Sequence, residues 1–195
     1  MEESAAHRWY GGFLDTVQKH EAAAALRDAA LSGALSAWTK ALTGMVVSTF
    51  QGLGWHGAAR SHRSNLLPVP REEYLALDIL AFETGGDRRW RFPVAVFELE
   101  NSPDDDRVAY SLWKVLCVRA SLRVVFCYRR DAGDGAEMVH HLSDEVVRSM
   151  GIGERASVGG ETLLVVGSRS EASSFPYGFF KEWGLDTNTG RFRRS

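Results

Sequence analysis

Residues 72–128 read EEYLALDILAFETGGDRRWRFPVAVFELENSPDDDRVAYSLWKVLCVRASLRVVFCY, and the rest of the chain is arranged around them. Residues 72–83 and 90–100 have the apolar, β-branched and aromatic content of strands. The glycines of the intervening ETGGDRR supply a turn, so the two strands are expected to pair antiparallel. At a period of two, Tyr74, Ala76, Asp78, Leu80 and Phe82 share one face. Val94, Val96, Glu98 and Glu100 share a face of the returning strand. Carboxylates on such strands are costly unless they are paired, protonated or bound to a cation. Asp78, Glu98 and Glu100 therefore ask for a cation. The plainer alternatives are an edge-exposed or salt-bridged Asp78, with Glu98 and Glu100 exposed at a strand end near Arg88, Arg89 or Arg91.

A helix is expected directly after the acids. Ser102 serves as N-cap and Pro103 as the first helical residue. Asp104, Asp105 and Asp106 are then accounted for by capping and the helix dipole in preference to metal ligation. The helix runs to about residue 120, with Ala109, Trp113, Leu116 and Ala120 on its apolar stripe and Lys114 at the flank. Residues 122–128 are apolar on both faces, as in a central strand. Strand, helix, strand implies a parallel crossover. A second unit follows, with a turn at 134–135, a helix over 136–150 and a strand over 161–166. His140 and His141 point about 100° apart on a helix, which does not suit one shared metal.

Upstream, residues 1–43 form a helical part, with alanine-rich helix over 13–42 and a break at Gly33. Glu21 and Asp28 fall near one face of it, most simply a solvated stripe. Residues 44–55 suggest a first strand. Residues 56–72 carry His56, Arg60, His62 and Arg63 and suggest a long loop or a weak strand, most simply solvated, whose cations would also suit phosphate. The tail, 173–195, is aromatic and ends basic. Its rings would cap the open end of a core or, alternatively, stack on bases.

The 195 residues suffice for one α/β domain, and 45% hydrophobic with 25% charged residues is ordinary for a soluble protein. No apolar run approaches the roughly 18 residues of a membrane span. The start, MEESAAHRWY, lacks the order of a secretory signal. Cys117 and Cys127 sit in apolar segments and suggest buried thiols in a reducing cytoplasm, not a disulfide framework or zinc site. A net charge of -2 does not advertise nucleic-acid binding, but a basic patch can coexist with an acidic metal site. The chain has no internal repeat, P-loop, G-x-G-x-x-G or nucleophile elbow.

The order helix, three strands, helix, strand, with acids at these positions, resembles the restriction-endonuclease-like PD-(D/E)xK nuclease superfamily over roughly residues 13–130. The resemblance implies an α/β fold with a mixed β-sheet flanked by helices, an αβββαβ core. That core carries an Asp on its second strand and an acid-x-Lys at the end of its third. Asp78 matches the Asp, and Glu98 matches the acid of the second half-motif. Ala76 and Leu77 precede Asp78, so the proline of the family name is absent, as it commonly is. Glu100 stands at the lysine position, giving Glu98-Leu99-Glu100. Some members carry Glu there, and in others the lysine has moved to the next helix, where Lys114 is the matching residue.

What the resemblance implies is Mg²⁺-assisted (or Mn²⁺-assisted) hydrolysis of phosphodiesters. Asp78, Glu98, Glu100 and the carbonyl of Leu99 would hold the metal. Asp78, Glu98, Glu100 and Lys114 would be the catalytic set, with Glu100 holding a second ion or taking the proton of water. Lys114 would orient the water or stabilise charge on the phosphate. Glu21 corresponds to the extra helical acid of some members. Nucleic acid, DNA foremost, would be the partner, with no membrane, and a homodimer is compatible. Two rivals remain open: a non-catalytic subunit of the same fold that binds nucleic acid or an assembly, and a flavodoxin-like open sheet binding a small molecule.

Overall fold

A computed structural model describes residues 4–194; residues 1–3 of the expected helical part, and Ser195, lie outside the described residues. The chain forms α1 (Ala5–Val17), α2 (His20–Ser32), α3 (Leu35–Thr49), β1 (Trp55–Ala59), β2 (Ile79–Glu83) and β3 (Ala95–Leu99). It continues through α4 (Asp105–Leu116), β4 (Leu122–Arg129), α5 (Ala132–Leu142), α6 (Ile152–Ser157), β5 (Glu161–Ser168), β6 (Phe180–Asp186) and β7 (Arg191–Arg194). The architecture is α/β, with one seven-stranded mixed sheet in the order β1 to β7. β1, β2 and β3 pair antiparallel, β3, β4 and β5 parallel, and β5, β6 and β7 antiparallel again. This is not the doubly wound parallel sheet of the flavodoxin-like alternative.

Alternation along β3 divides the core. Ala95, Phe97 and Leu99 face α1–α3, in a cluster with Trp9, Phe13, Leu26 and Phe126. Val96 faces the other way, in a cluster with Val108, Leu112 and Val115 of α4 and Met138 and Leu142 of α5. Glu98 lies on that second side, two residues on from Val96.

Several expected boundaries move. The N-terminal helix is three helices, broken at Gly33 (φ 65°) as expected and again near Gln18 and Lys19. α3 runs on through Thr49, where a strand was expected, and the first strand is Trp55–Ala59. Trp38, Leu42 and Val46 are all buried at a spacing of four. That helical burial overrides the β-branched character of residues 46–49.

β2 begins only at Ile79, because residues 74–77 close a tight turn in which the Leu77 N–H donates to the Tyr74 carbonyl at 3.0 Å. β3 begins at Ala95 instead of Trp90. The long β2–β3 connection is held by Arg91, whose guanidinium donates to the carbonyls of Glu83, Gly85 and Gly86 at 2.9, 2.6 and 2.6 Å.

α4 is capped by Asp104, which accepts from the Asp106 N–H at 2.9 Å, two residues after the expected cap. It ends at Leu116. Its buried stripe is Val108, Leu112 and Val115, while Trp113, expected inside, is 55% exposed. Both stripes have helical spacing, and the sheet takes the branched one.

α5 starts at Ala132 under an Asp131 cap and runs through Gly135, the expected turn. The tail supplies β6 and β7, and Phe175, Phe179, Phe180 and Phe192 are buried as a packing role requires. Cys127 is buried and its thiol is pushed up to about 12 by burial; Cys117 is exposed, against expectation. Among the described residues no helix is long and apolar enough to cross a membrane.

Candidate active site at the ends of β2 and β3

β2 and β3 pair with Ile79 opposite Phe97. One further step in that register sets Asp78 opposite Glu98, just where the ladder stops. The Leu99 N–H closes the gap by donating to Asp78 Oδ2 at 2.8 Å. In a strand the carbonyl of a residue lies on the same edge as its N–H, so the Leu99 carbonyl also faces the Asp78 side.

Glu98 is only 4% exposed. Its Oε2 pairs with Lys114 Nζ at 2.8 Å and accepts a longer hydrogen bond from the Ser111 hydroxyl at 3.4 Å. Its Oε1 is buried and has no partner among the described residues. Burial pushes the Glu98 carboxyl up to about 7; Lys114 opposes this, and the Asp78 charge adds to it. Asp78 is raised too, chiefly by burial, with the Leu99 N–H and Lys114 opposing and Glu100 reinforcing. The charge of Asp78 thus disfavours that of Glu98, and the charge of Glu100 disfavours that of Asp78.

Lys114 projects from the flank of α4, and its ammonium donates to the Ala76 carbonyl at 2.8 Å while holding Glu98. Lys114 therefore reaches Glu98, and α4 has to pack back over the sheet for this to occur. Glu100 is half-buried, and its Oε1 accepts from the Ser102 N–H at 2.7 Å, tying it to the connection into α4. Glu21 is not brought in. It is exposed at the start of α2, and α2 packs on the opposite face of the sheet through Leu26 and Ala29. Two participants were absent from the sequence reading. Ser111 carried a usable signal, since it lies three residues before Lys114 on the same helical flank. The Ala76 carbonyl carried none, because its direction depends on the turn at 74–77.

Among the described residues no three His, Cys, Asp or Glu side chains form a ready metal cage. Mg²⁺ does not require one, since it commonly takes one or two protein carboxylates and fills its octahedron with water and phosphate oxygens. Asp78, Glu98 with its spare Oε1, and the Leu99 carbonyl edge fit that demand as a set of hard oxygens. A wide depression of about 1320 Å³ opens at the other ends of these strands, around Val94, Ser121 and Gly160, and its lining includes neither acid. No family model, curated protein or solved structure matches the chain.

Proposed function

We propose that the protein is a metal-dependent nuclease of restriction-endonuclease-like fold, acting on DNA, with its centre at Asp78 and Glu98. The observation that carries this reading is the buried Glu98 carboxylate, with one oxygen on Lys114 and the other unpartnered, beside a second confined carboxyl. A divalent cation resolves the conflict, because it favours the ionised form of both acids. The α3–β1–β2–β3–α4–β4 order supports the reading as well.

When bound, Mg²⁺ or Mn²⁺ would polarise the scissile phosphate and lower the pKa of a water. The chain's own contribution is positional. Asp78, fixed by the Leu99 N–H, and Glu98, fixed by Lys114 and Ser111, would hold the ion. Lys114 would carry positive charge toward the phosphate as negative charge builds there. Glu100, half-buried two residues beyond Glu98, would be the carboxylate that accepts a proton from water.

The rival is a non-catalytic member of the same fold that binds nucleic acid. It is favoured by one feature: the residue at the motif lysine position, Glu100, is engaged with Ser102. Calorimetric titration with Mg²⁺ and Mn²⁺, on wild type and Asp78→Ala, separates the two. The expected result is metal binding, and cleavage of single- or double-stranded DNA, that both vanish with Asp78→Ala. No heat of binding at millimolar ion would overturn the nuclease reading and leave the rival.

A further inference from the structure

Beside the candidate site the fold builds an apolar recess that the chemistry above does not use. It is an open depression of about 430 Å³ over β2, between residues 67–76 and 90–93. Tyr74, Leu80 and Phe82 line it, and Leu75, Trp90 and Phe92 form its rim. These rim side chains are 68%, 61% and 78% exposed. Single exposed apolar residues are ordinary, but three around one concavity mark a place where something docks.

The backbone at the rim is strained in the same place. Leu75 and Ala76 have φ of 57° and 54°, left-handed values that side-chain-bearing residues avoid. Positive φ at both central positions of a turn usually selects Gly, Asn or Asp, and neither residue is one of these. Strain of this kind collects where a surface has work to do. Here it thrusts the Leu75 side chain out to the rim and aims the Ala76 carbonyl at Lys114, 2.8 Å away. The same ammonium holds Glu98, so the recess and the candidate site share one turn. Two arginines, Arg71 and Arg91, and one acid, Glu73, also line the recess.

We propose that this recess takes one unpaired nucleobase of a polynucleotide whose neighbouring phosphate lies at Asp78 and Glu98; the second half of the statement rests on the nuclease reading. A base offers Trp90 and Phe92 an uncharged π-face whatever its sequence, and a flanking phosphate meets Arg71 in the lining. A base stacked in a duplex has both faces covered and cannot enter unless it is extruded. The substrate class is therefore single-stranded nucleic acid, or a duplex with a nucleotide out of the stack. An apolar protein segment would fill the same volume, but it would bring no phosphate to Asp78 and Glu98, which the same turn joins to the recess.

Fluorescence anisotropy in EDTA, where no cleavage occurs, tests the recess by itself. The probes are a labelled ten-nucleotide oligothymidylate and an abasic strand of the same length. Wild type should bind the oligothymidylate about tenfold tighter or more, since stacking of one base is worth that much. Trp90→Ala and Phe92→Ala should each lose this margin while keeping their affinity for the abasic strand. Trp113→Ala, an exposed ring elsewhere on α4, should keep the margin. Both rim rings are exposed, so the unfolding curves of these variants should overlay wild type. Equal binding of the two strands by wild type overturns the proposal, as do rim variants that keep the margin. So does a self-association, read by sedimentation, that Trp90→Ala dissolves while oligonucleotide binding is absent. Asp78→Ala in the same assay keeps the base margin, so failure of hydrolysis and failure of the recess are read apart.

Discussion

Arg123 and Glu98 lie on neighbouring strands under the same layer of helices, at 1% and 4% exposure. Arg123 is complete. Its guanidinium donates to the carbonyls of Val118, Gly159 and Val158 at 2.9, 2.8 and 2.9 Å, tying the start of β4 to the turn before β5. That turn has little freedom, since a Cβ on Gly160 would come within 2.6 Å of two backbone oxygens. Glu98 is incomplete, with one oxygen engaged and the other buried without a partner. A buried charge whose hydrogen bonds are all made serves the fold. One left part-satisfied costs the fold free energy, and that cost marks a place where a ligand is expected.

The comparison makes quantitative demands, the largest at Arg123. Arg123→Ala strips three carbonyls of their donor and leaves a cavity, so it should cost roughly 4 kcal/mol and lower Tm by about 10 °C. Urea denaturation showing less than about 1 kcal/mol would mean that the guanidinium is not the structural tie described.

At Glu98 the sign is opposite. Its carboxyl ordinarily titrates at 4.5 and is held at about 7 in the fold. Between those values the folded state keeps a proton that the unfolded chain releases, so stability falls as pH rises from 4.5 to 7. Glu98→Gln removes this loss. In metal-free buffer the two proteins should match near pH 4, and the variant should be more stable by on the order of 3 kcal/mol at pH 8. A variant less stable than wild type at pH 8 would break the comparison.

Lys114→Met takes away the cation that pairs with Glu98 among the described residues. Lys114 retains 21% side-chain exposure, so the loss is set below that of a fully buried pair, at about 2 kcal/mol at pH 8. It should shrink at pH 5, where Glu98 is protonated. A pH-independent loss would assign the lysine to packing. The smallest effect is expected at the turn that receives Lys114. Ala76→Gly relieves a left-handed φ and should raise stability by about 1 kcal/mol. A destabilised Ala76→Gly would show that the turn is not strained.

How much of this was legible in the sequence differs by element. The hairpin direction and the crossover into β4 followed from apolar runs separated by a glycine turn and a capped helix. Asp78 and Glu98 could be named because acids in apolar strands violate a local rule, and violations of local rules are visible in sequence; Lys114 was named only through the resemblance. Helix faces were harder. Ala109-Trp113-Leu116 and Val108-Leu112-Val115 have the same spacing, so periodicity alone could not choose between them. The extension of α3 was obscured because residues 46–49 have local β preference and tertiary helical burial. Glu21, most simply part of a solvated stripe and tied to the other acids only through the resemblance, lies across the sheet from them.

By itself the sequence determined the α/β class, the antiparallel strands ahead of a parallel crossover, and the two acids, Asp78 and Glu98, at the candidate site. These depend on short-range patterns of polarity, which any strand or helix must obey to bury one side. Only the tertiary structure decided that Lys114 reaches Glu98, that Oε1 is left alone and that Glu21 stands apart. It also decided that a strained turn joins the site to an apolar recess. Such facts depend on which face of each helix meets the sheet and on where a backbone carbonyl points. Neither is carried by residue identity, because both are set by how the whole chain closes on itself.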